Sequence, residues 1–435
     1  MKRNHKLLMI KKILADKESL KYILSKGGLS FLFRMIAMVF SFLTMWFMTN
    51  YYGESVWGRY SLTLTILQIA AMFFALGLPN AFVSLAGGFN DSKDSKGLLV
   101  KSIKLALLSS IVPILLFSIG AGFISSYIFD KEHLYIYMFI IALGVPCMIV
   151  HEIVCYYFIS IKKFVAYGLS IFIFPNVFFI SLLLLLYYNG ANGYYTLLAY
   201  VSAYLLTLVI TLFYIFGEKT KIVYPKITKR DIFKKSFPMM ISGIFLLLLN
   251  WTDVLMLGRL VSEDQVGIYN TAFKVGYLSL FFVVSMSAVI SPRISELFYR
   301  NDRIEMKKII TRSTQIVTLL TIPLTFVLIF FRDMILGAFG EAFVAGGTAL
   351  IFITLGGLYS AMAGNVDQVL NMTNNQKSVS IIFFTGFIVN VLLNIFLIPS
   401  YGIEGAAIAS LITNIYVNTV CIIVIRKKLG FYTFI

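Results

Sequence analysis

Long unbroken apolar runs, rather than two-residue alternation, dominate this chain. Runs of about 20 apolar residues are enough to cross the hydrocarbon core of a bilayer as a helix. Bounded by charge and by Gly, Pro and Asn clusters, they predict helices near 27–48, 57–88, 100–128, 134–160, 164–188 and 194–216. A second set follows near 237–258, 268–298, 312–331, 342–370, 376–398 and 403–425. Twelve crossings place both termini on one side. The stretches 57–88 and 268–298 exceed one bilayer thickness, so their ends are expected to project beyond it.

Composition agrees. Hydrophobic residues make up 59% of the chain and charged residues 13%, against about 25% charged in a soluble domain. That excludes a soluble globular chain, a disordered one and a collagen. An aromatic share of 16%, mostly Phe and Tyr, suits lipid-facing surfaces and interfacial belts. The fold class is an all-α polytopic membrane protein. Cys147, Cys155 and Cys421 sit in apolar stretches. The first two lie about 12 Å apart along one helix, too far for a disulfide, and all three read as small packing residues.

The basic residues sort by side. With the N-terminus inside, 31 of the 37 Lys and Arg fall in inner segments. Four fall outside (Arg59, Lys131, Arg259, Arg332) and two within helices (Arg34, Lys274). This is the positive-inside pattern, and one missing or extra helix would ruin it. It predicts cytoplasmic N- and C-termini and a multi-pass membrane protein. The formal charge of +17 is met by anionic lipid headgroups over short loops, so nucleic acid is not an expected partner. Residues 1–26 carry Leu7, Ile10, Leu14 and Leu24 among lysines. They read either as an interfacial amphipathic helix or as a solvated basic tail. No A-x-A cleavage site follows, and no removed signal peptide is expected.

"YGESVWGRY" at 52–60 and "VSEDQVGIY" at 261–269 follow the first helix of each six-helix set. An offset of 209 aligns Glu54 with Glu263, Gly58 with Gly267 and Tyr60 with Tyr269. Two halves with an even number of helices share one orientation. The expected organisation is therefore a basic segment 1–26, an N-lobe 27–216, a basic cytoplasmic linker 217–236, a C-lobe 237–425 and a tail 426–435. Two bundles flanking a cleft form a transporter plan.

The stretches "NYYGESVWGRYSL" at 50–62, "DVLMLGRLVSEDQVGIYNTAFKVGYL" at 253–278, "SPRISELF" at 291–298 and "NIFLIPSYGIEGAAIASLI" at 394–412 carry a family likeness. The chain resembles the polysaccharide-biosynthesis (Wzx-type O-antigen or capsule repeat-unit) flippases of the MOP exporter superfamily. The resemblance implies a twelve-helix, two-lobed MATE-like fold. It also implies outward movement of a polyprenyl-diphosphate-linked oligosaccharide of the undecaprenyl type, with a polysaccharide polymerase and chain-length machinery as further partners. Lipid II flippases typically carry two extra C-terminal helices, and this chain stops after twelve. One alternative is a MATE-like ion-coupled multidrug exporter. Another, from a different class, is a membrane polymerase or glycosyltransferase, but the outer loops are short and no D-x-D pair occurs. No Gly-Lys dipeptide occurs either, so a Walker A loop is absent. No catalytic residue, metal or cofactor is expected, and an H+ or Na+ gradient, the membrane potential or downstream consumption of the product is the expected energy source.

Five ionisable residues fall within predicted spans: Arg34, Glu152, Asp253, Lys274 and Asp367. Each is costly in lipid, by about 2.5–3.5 kcal/mol for Arg, Lys or Asp at a helix centre. They must pair with one another, as Arg34 with Asp253 or Lys274 with Glu152, or line a wet cavity. For a diphosphate cargo the expected headgroup ligands are Arg34 and Lys274, with Arg59 at the outer mouth. Glu152, Asp253, Asp367 and His151 are the ion-coupling candidates. Asn250, Asn365, Asn390 and Asn394 read first as interhelical glue. Pro146, Pro175, Pro238, Pro292 and Pro323 are expected to kink their helices.

The charge sorting makes a direct prediction. Reporter fusions at Lys229 should read cytoplasmic and fusions at Glu263 external; an external reading at Lys229 would overturn both the orientation and the helix count.

Overall fold

The computed structural model describes residues 2–86, 92–217 and 222–434. Side chains before Leu32 lie outside that description, as do those at 92–93, 235, 238–239, 241–243, 245–247, 250, 288 and 292. The amphipathic reading of residues 1–26, and the roles expected of Asn250, Pro238 and Pro292, therefore fall outside the described residues.

Every regular element among the described residues is helical. Among the described residues, nine stretches are long and apolar enough to cross a membrane. Two of them, Leu32–Phe74 and Gln376–Leu429, are interrupted by a glycine outside helical geometry, Gly53 (φ 81°) and Gly402 (φ 56°). Each consists of two helical limbs, in register with the separate helices predicted at 27–48 and 57–88 and at 376–398 and 403–425. The helix Lys229–Leu260 covers the predicted 237–258.

Several predicted helices are broken where the backbone cannot continue. The expected 57–88 stops at Phe74 and resumes as Leu78–Ala86 after Leu76 and Gly77 at positive φ. The expected 100–128 divides into Ser92–Ser109, Ile111–Ile119 and a π-turn Ile124–Ile128. Pro113 lies just beyond the first of these breaks, and its ring excludes the carbonyl four residues earlier. The expected 342–370 breaks at Gly364 (φ 85°), so Asp367 belongs to a short separate helix, Val366–Met372. In the fifth predicted helix, a π-turn at Leu169–Ile173 precedes Pro175.

The chain divides into two compact units that interleave in sequence. One comprises residues 1–44, 71–115 and 142–239; the other comprises 45–70, 116–141 and 240–435. In the first, Lys101 Nζ donates to the carbonyls of Pro225 (2.6 Å) and Ile227 (2.9 Å), fastening the extended segment before Lys229. Thr228 and Asp231 then close a reciprocal capping box at the helix start, and the Thr228 hydrogen bonds hold the Asp231 carboxyl below the usual range. The second unit has an apolar cluster that includes Ile294, Ile310, Val369, Ile382, Cys421 and Ile425. All three cysteines are buried and free.

Candidate functional site

The two copies of the repeat meet within the second unit. A Cβ on Gly58 would lie 1.7 Å from the Glu263 carbonyl oxygen, and one on Gly267 would lie 2.4 Å from that of Glu54. Each glycine is thus covered by the backbone of the other copy's repeat glutamate. The arrangement is reciprocal, as a two-fold relation between the repeats requires. Only a residue without a side chain permits helices to cross this closely.

Charge closes the crossing. Arg59 Nε and Nη2 each donate to Glu263 Oε2 at 2.8 Å, and His133 Nε2 contacts the other carboxylate oxygen. Lys131 Nζ donates to Gly258 O (2.8 Å) and Val261 O (2.9 Å), at the end of Lys229–Leu260. Arg259 Nη1 donates in turn to Tyr127 O and Ile128 O, at the end of Ile124–Ile128. Each cation therefore sits at the negative end of the opposing helix. Burial pushes the Lys131 ammonium below its ordinary pKa, with Glu263 pulling the other way. Arg59, expected as a phosphate receiver, is here committed to Glu263. The partners Glu263 and His133 were not foreseen as site residues; their one sequence signal was the alignment of Glu263 with Glu54.

Asp253 is 2% exposed, yet neutral donors satisfy its carboxylate. Tyr269 OH (2.7 Å) and the Ser410 hydroxyl donate to Oδ2, and the amides of Asn390 (3.1 Å) and Asn394 (2.8 Å) donate to Oδ1. Asn390 and Asn394, first read as glue, are ligands of a buried acid; Tyr269 and Ser410 carried no sequence signal for this role. Asn394 Oδ1 and Thr413 Oγ1 remain buried without a hydrogen-bond partner. A cavity of about 140 Å³, lined in part by Phe273, Tyr277, Asn390, Ser410 and Thr413, opens beside this group. Four donors aimed at one carboxylate, with unused oxygens beside it, make a buried polar network around Asp253.

Lys274 is half-buried, with its ammonium 4.7 Å from the centre of the Trp57 ring. Among the described residues it has no acidic partner. Its neighbours on one helical face, Tyr269, Phe273 and Tyr277, form a ladder of stacked and tilted rings. Asp367 is half-buried and accepts from Gln368 Nε2 at 3.1 Å. Asn365 Oδ1 accepts from Ser287 Oγ at 2.7 Å, an interhelical bond of the kind expected.

The remaining candidates belong to the first unit. Arg34 is exposed, 5.8 Å from the centre of the Phe172 ring. Glu152 is half-buried, whereas His151 is 2% exposed, its Nε2 3.1 Å from Ser170 O and its ring edge-on to Tyr204. The sequence explains that bond. Phe174 N–H donates to Leu169 O in the π-turn, and Pro175 has no N–H, so the Ser170 carbonyl has no helical donor. A carbonyl can only accept, so Nε2 carries the proton.

This fold is shared by solved structures of other proteins. It aligns with an inward-facing multidrug resistance MATE family transporter at a TM-score of 0.76 and 13% identity, covering 91% of this chain and 98% of that one. It aligns equally, at 0.76 and 17% identity, with an inward closed conformation of the lipid II flippase MurJ, covering 92% and 87%. At these identities the likeness is one of fold. A family model described as polysaccharide biosynthesis protein matches residues 23–298, and one described as MatE matches 238–396. The first spans more than half of the chain: the chain belongs to the polysaccharide biosynthesis protein family.

Two curated relatives come from Haloferax volcanii. The probable low-salt glycan biosynthesis flippase Agl15 is 28% identical over 192 residues, 44% of this chain and 40% of that protein. The probable flippase AglR is 28% identical over 170 residues, 38% and 35%. The matched part is less than half the length of either relative.

The charged crossing predicts a specific non-additivity. Glu263→Gln should lower thermal stability in detergent by about 1–3 kcal/mol, because it leaves Arg59 without its counter-charge. Arg59→Met with Glu263→Met should recover most of that loss, since replacing both members removes the orphaned charge. A double variant whose loss equals the sum of the two single losses would show that the pair does not act as a unit.

Proposed function

We propose that this chain is a flippase that carries a diphosphate-linked oligosaccharide outward across the membrane by alternating access. The observation that carries this reading is Lys274. A cation kept inside apolar helices over an aromatic face, with no acidic partner among the described residues, is a ligand waiting for an anion. The relatives are named as glycan-biosynthesis and other flippases, which supports a glycan cargo and transport rather than catalysis. Exposed Arg34 is the proposed second headgroup ligand. With the limbs at Gly53 and Gly402 counted separately and the helix Lys229–Leu260 added, twelve crossings with cytoplasmic termini is the proposed topology. The curated relatives are archaeal, so the cargo is proposed as a surface-glycan repeat unit on a polyprenyl carrier. An O-antigen or capsule unit on undecaprenyl diphosphate, in a bacterial inner membrane, is the finer form of that proposal.

In this reading Arg59, Glu263 and His133 hold the outer side shut while cargo loads from inside, and reopening requires their separation. Asp253 is the proposed ion-coupling group, because its cage offers a small cation oxygens from Tyr269, Ser410 and Asn394. An interior-negative potential adds about 2.3 kcal/mol per charge per 100 mV to outward movement of the anion. A MATE-like exporter is the second reading, favoured by the same buried carboxylate and by the MatE match over 238–396.

Surface-glycan output, read against membrane abundance, separates the two. Lys274→Ala should abolish output at normal abundance, Lys274→Arg should retain part of it, and Asp253→Asn should remove the gradient dependence of transport in liposomes. Normal output from Arg34→Ala combined with Lys274→Ala would end the diphosphate reading.

A further inference from the structure

The first unit holds a second constellation, of which only Arg34, at the edge, has a part in the proposed headgroup binding. Glu152 and Tyr156 lie one turn apart on one face of the helix Tyr135–Ser160. Beyond the turn at Lys162, Tyr167 and Phe172 come from the next helix, their rings 5.9 Å apart and nearly perpendicular. The π-turn at Leu169–Ile173, braced by His151 on the Ser170 carbonyl, sets the direction of Phe172. Gly168 admits the Phe33 ring to within 2.1 Å of where a Cβ would stand, drawing Arg34 beside the Tyr167 hydroxyl and over Phe172.

All four residues of this group are half-buried, and Arg34 at its edge is exposed. Among the described residues the Glu152 carboxylate has neither a hydrogen bond nor an ion pair, although Tyr156, Tyr167 and Cys155 are its neighbours. Hydrogen-bonding capacity left unused in an apolar setting is costly unless something polar arrives to meet it. The balance of that capacity identifies the visitor. At the centre of the group an anion would be repelled by Glu152, and at its edge a simple cation by Arg34. A group that donates and accepts at several points, while laying an apolar face on an aromatic ring, satisfies every member. A pyranose has that chemistry: ring hydroxyls that both donate and accept, and a C–H face that packs on Tyr or Phe.

We propose that Glu152, Tyr156, Tyr167 and Phe172, with Arg34 at their edge, form a sugar-binding subsite for the glycan of the transported lipid. The proposal rests on the flippase reading and adds a place for the saccharide. Carboxylate acceptors form short, strong bonds to hydroxyls, so Glu152 anchors the sugar, and the aromatic faces select its orientation. Tyr156 and Tyr167 lie five or six residues from the Lys162 turn, about 7–9 Å along their helices. That turn is expected on the cytoplasmic side, where a cargo moving outward is received.

Binding to the purified full chain in detergent tests this directly. The probes are geranylgeranyl diphosphate alone and the same lipid bearing glucose, galactose or N-acetylglucosamine. At least one sugar-bearing probe should bind about tenfold more tightly than the bare lipid. Glu152→Gln, Phe172→Leu and Tyr156→Phe, each checked for unchanged thermal stability, should erase that gain and leave bare-lipid affinity unaltered. Lys274→Ala should weaken all four probes alike. Equal binding of all four probes by the wild-type chain, or a sugar gain that survives all three substitutions, overturns the subsite. Bare-lipid binding that is absent, or indifferent to Lys274→Ala, overturns the diphosphate reading instead. A sugar gain that still depends on Glu152 would then leave the subsite standing.

Discussion

The reciprocal approach of Gly58 and Gly267 is the constraint on which the charged crossing depends. A methyl group at Gly58 would stand 1.7 Å from a carbonyl oxygen, a distance no side chain tolerates. Only with both side chains missing do the two backbones come close enough for Arg59 to reach Glu263 and for Lys131 and Arg259 to reach opposing helix ends. The electrostatics follow from the packing. Coulomb attraction across a wider gap would be screened by water, whereas here Glu263 is 8% exposed and its charge must be answered.

The repeat was legible as three identities in nine positions, and the structure gives those identities a physical reading. Gly58 and Gly267 are the contact, Glu54 and Glu263 supply the carbonyls that cover them, and Tyr269 reaches Asp253. Helix positions were also legible, because hydropathy over about 20 residues averages out local irregularity. Boundaries were not, wherever one residue decided them: Gly364 detaches Asp367 from its expected helix, and the break at Ser110 divides another. A window that counts apolar residues is blind to a single φ angle.

The site was legible in part for a similar reason. A charge in an apolar run stands out, so Asp253, Lys274, Glu152 and Arg34 were all visible. Their neutral companions were not, since a Ser, Tyr or Asn in a membrane helix is common. The Asp253 cage is made of Tyr269, Asn390, Asn394 and Ser410, which lie from 16 to 157 residues from Asp253 along the chain. Arg59 was visible as a cation, but its commitment to Glu263 is a tertiary fact.

Symmetry in packing does not extend to chemistry. At the offset that superposes the glycines, Asp253 corresponds to Thr44, Lys274 to Thr65, Trp57 to Val266 and Arg59 to Ile268. The repeat preserves the residues that let backbones meet, together with Glu54 and Glu263, and varies the cations and the buried aspartate. Consequently the acid cage and the aromatic-bound lysine occur in one half, and the carboxylate–tyrosine group beside Arg34 in the other. The proposed cargo, an anionic lipid bearing a saccharide, is itself asymmetric, and two like halves would not recognise both ends of it. Divergence on a shared crossing supplies two different surfaces without disturbing the contact that both halves need.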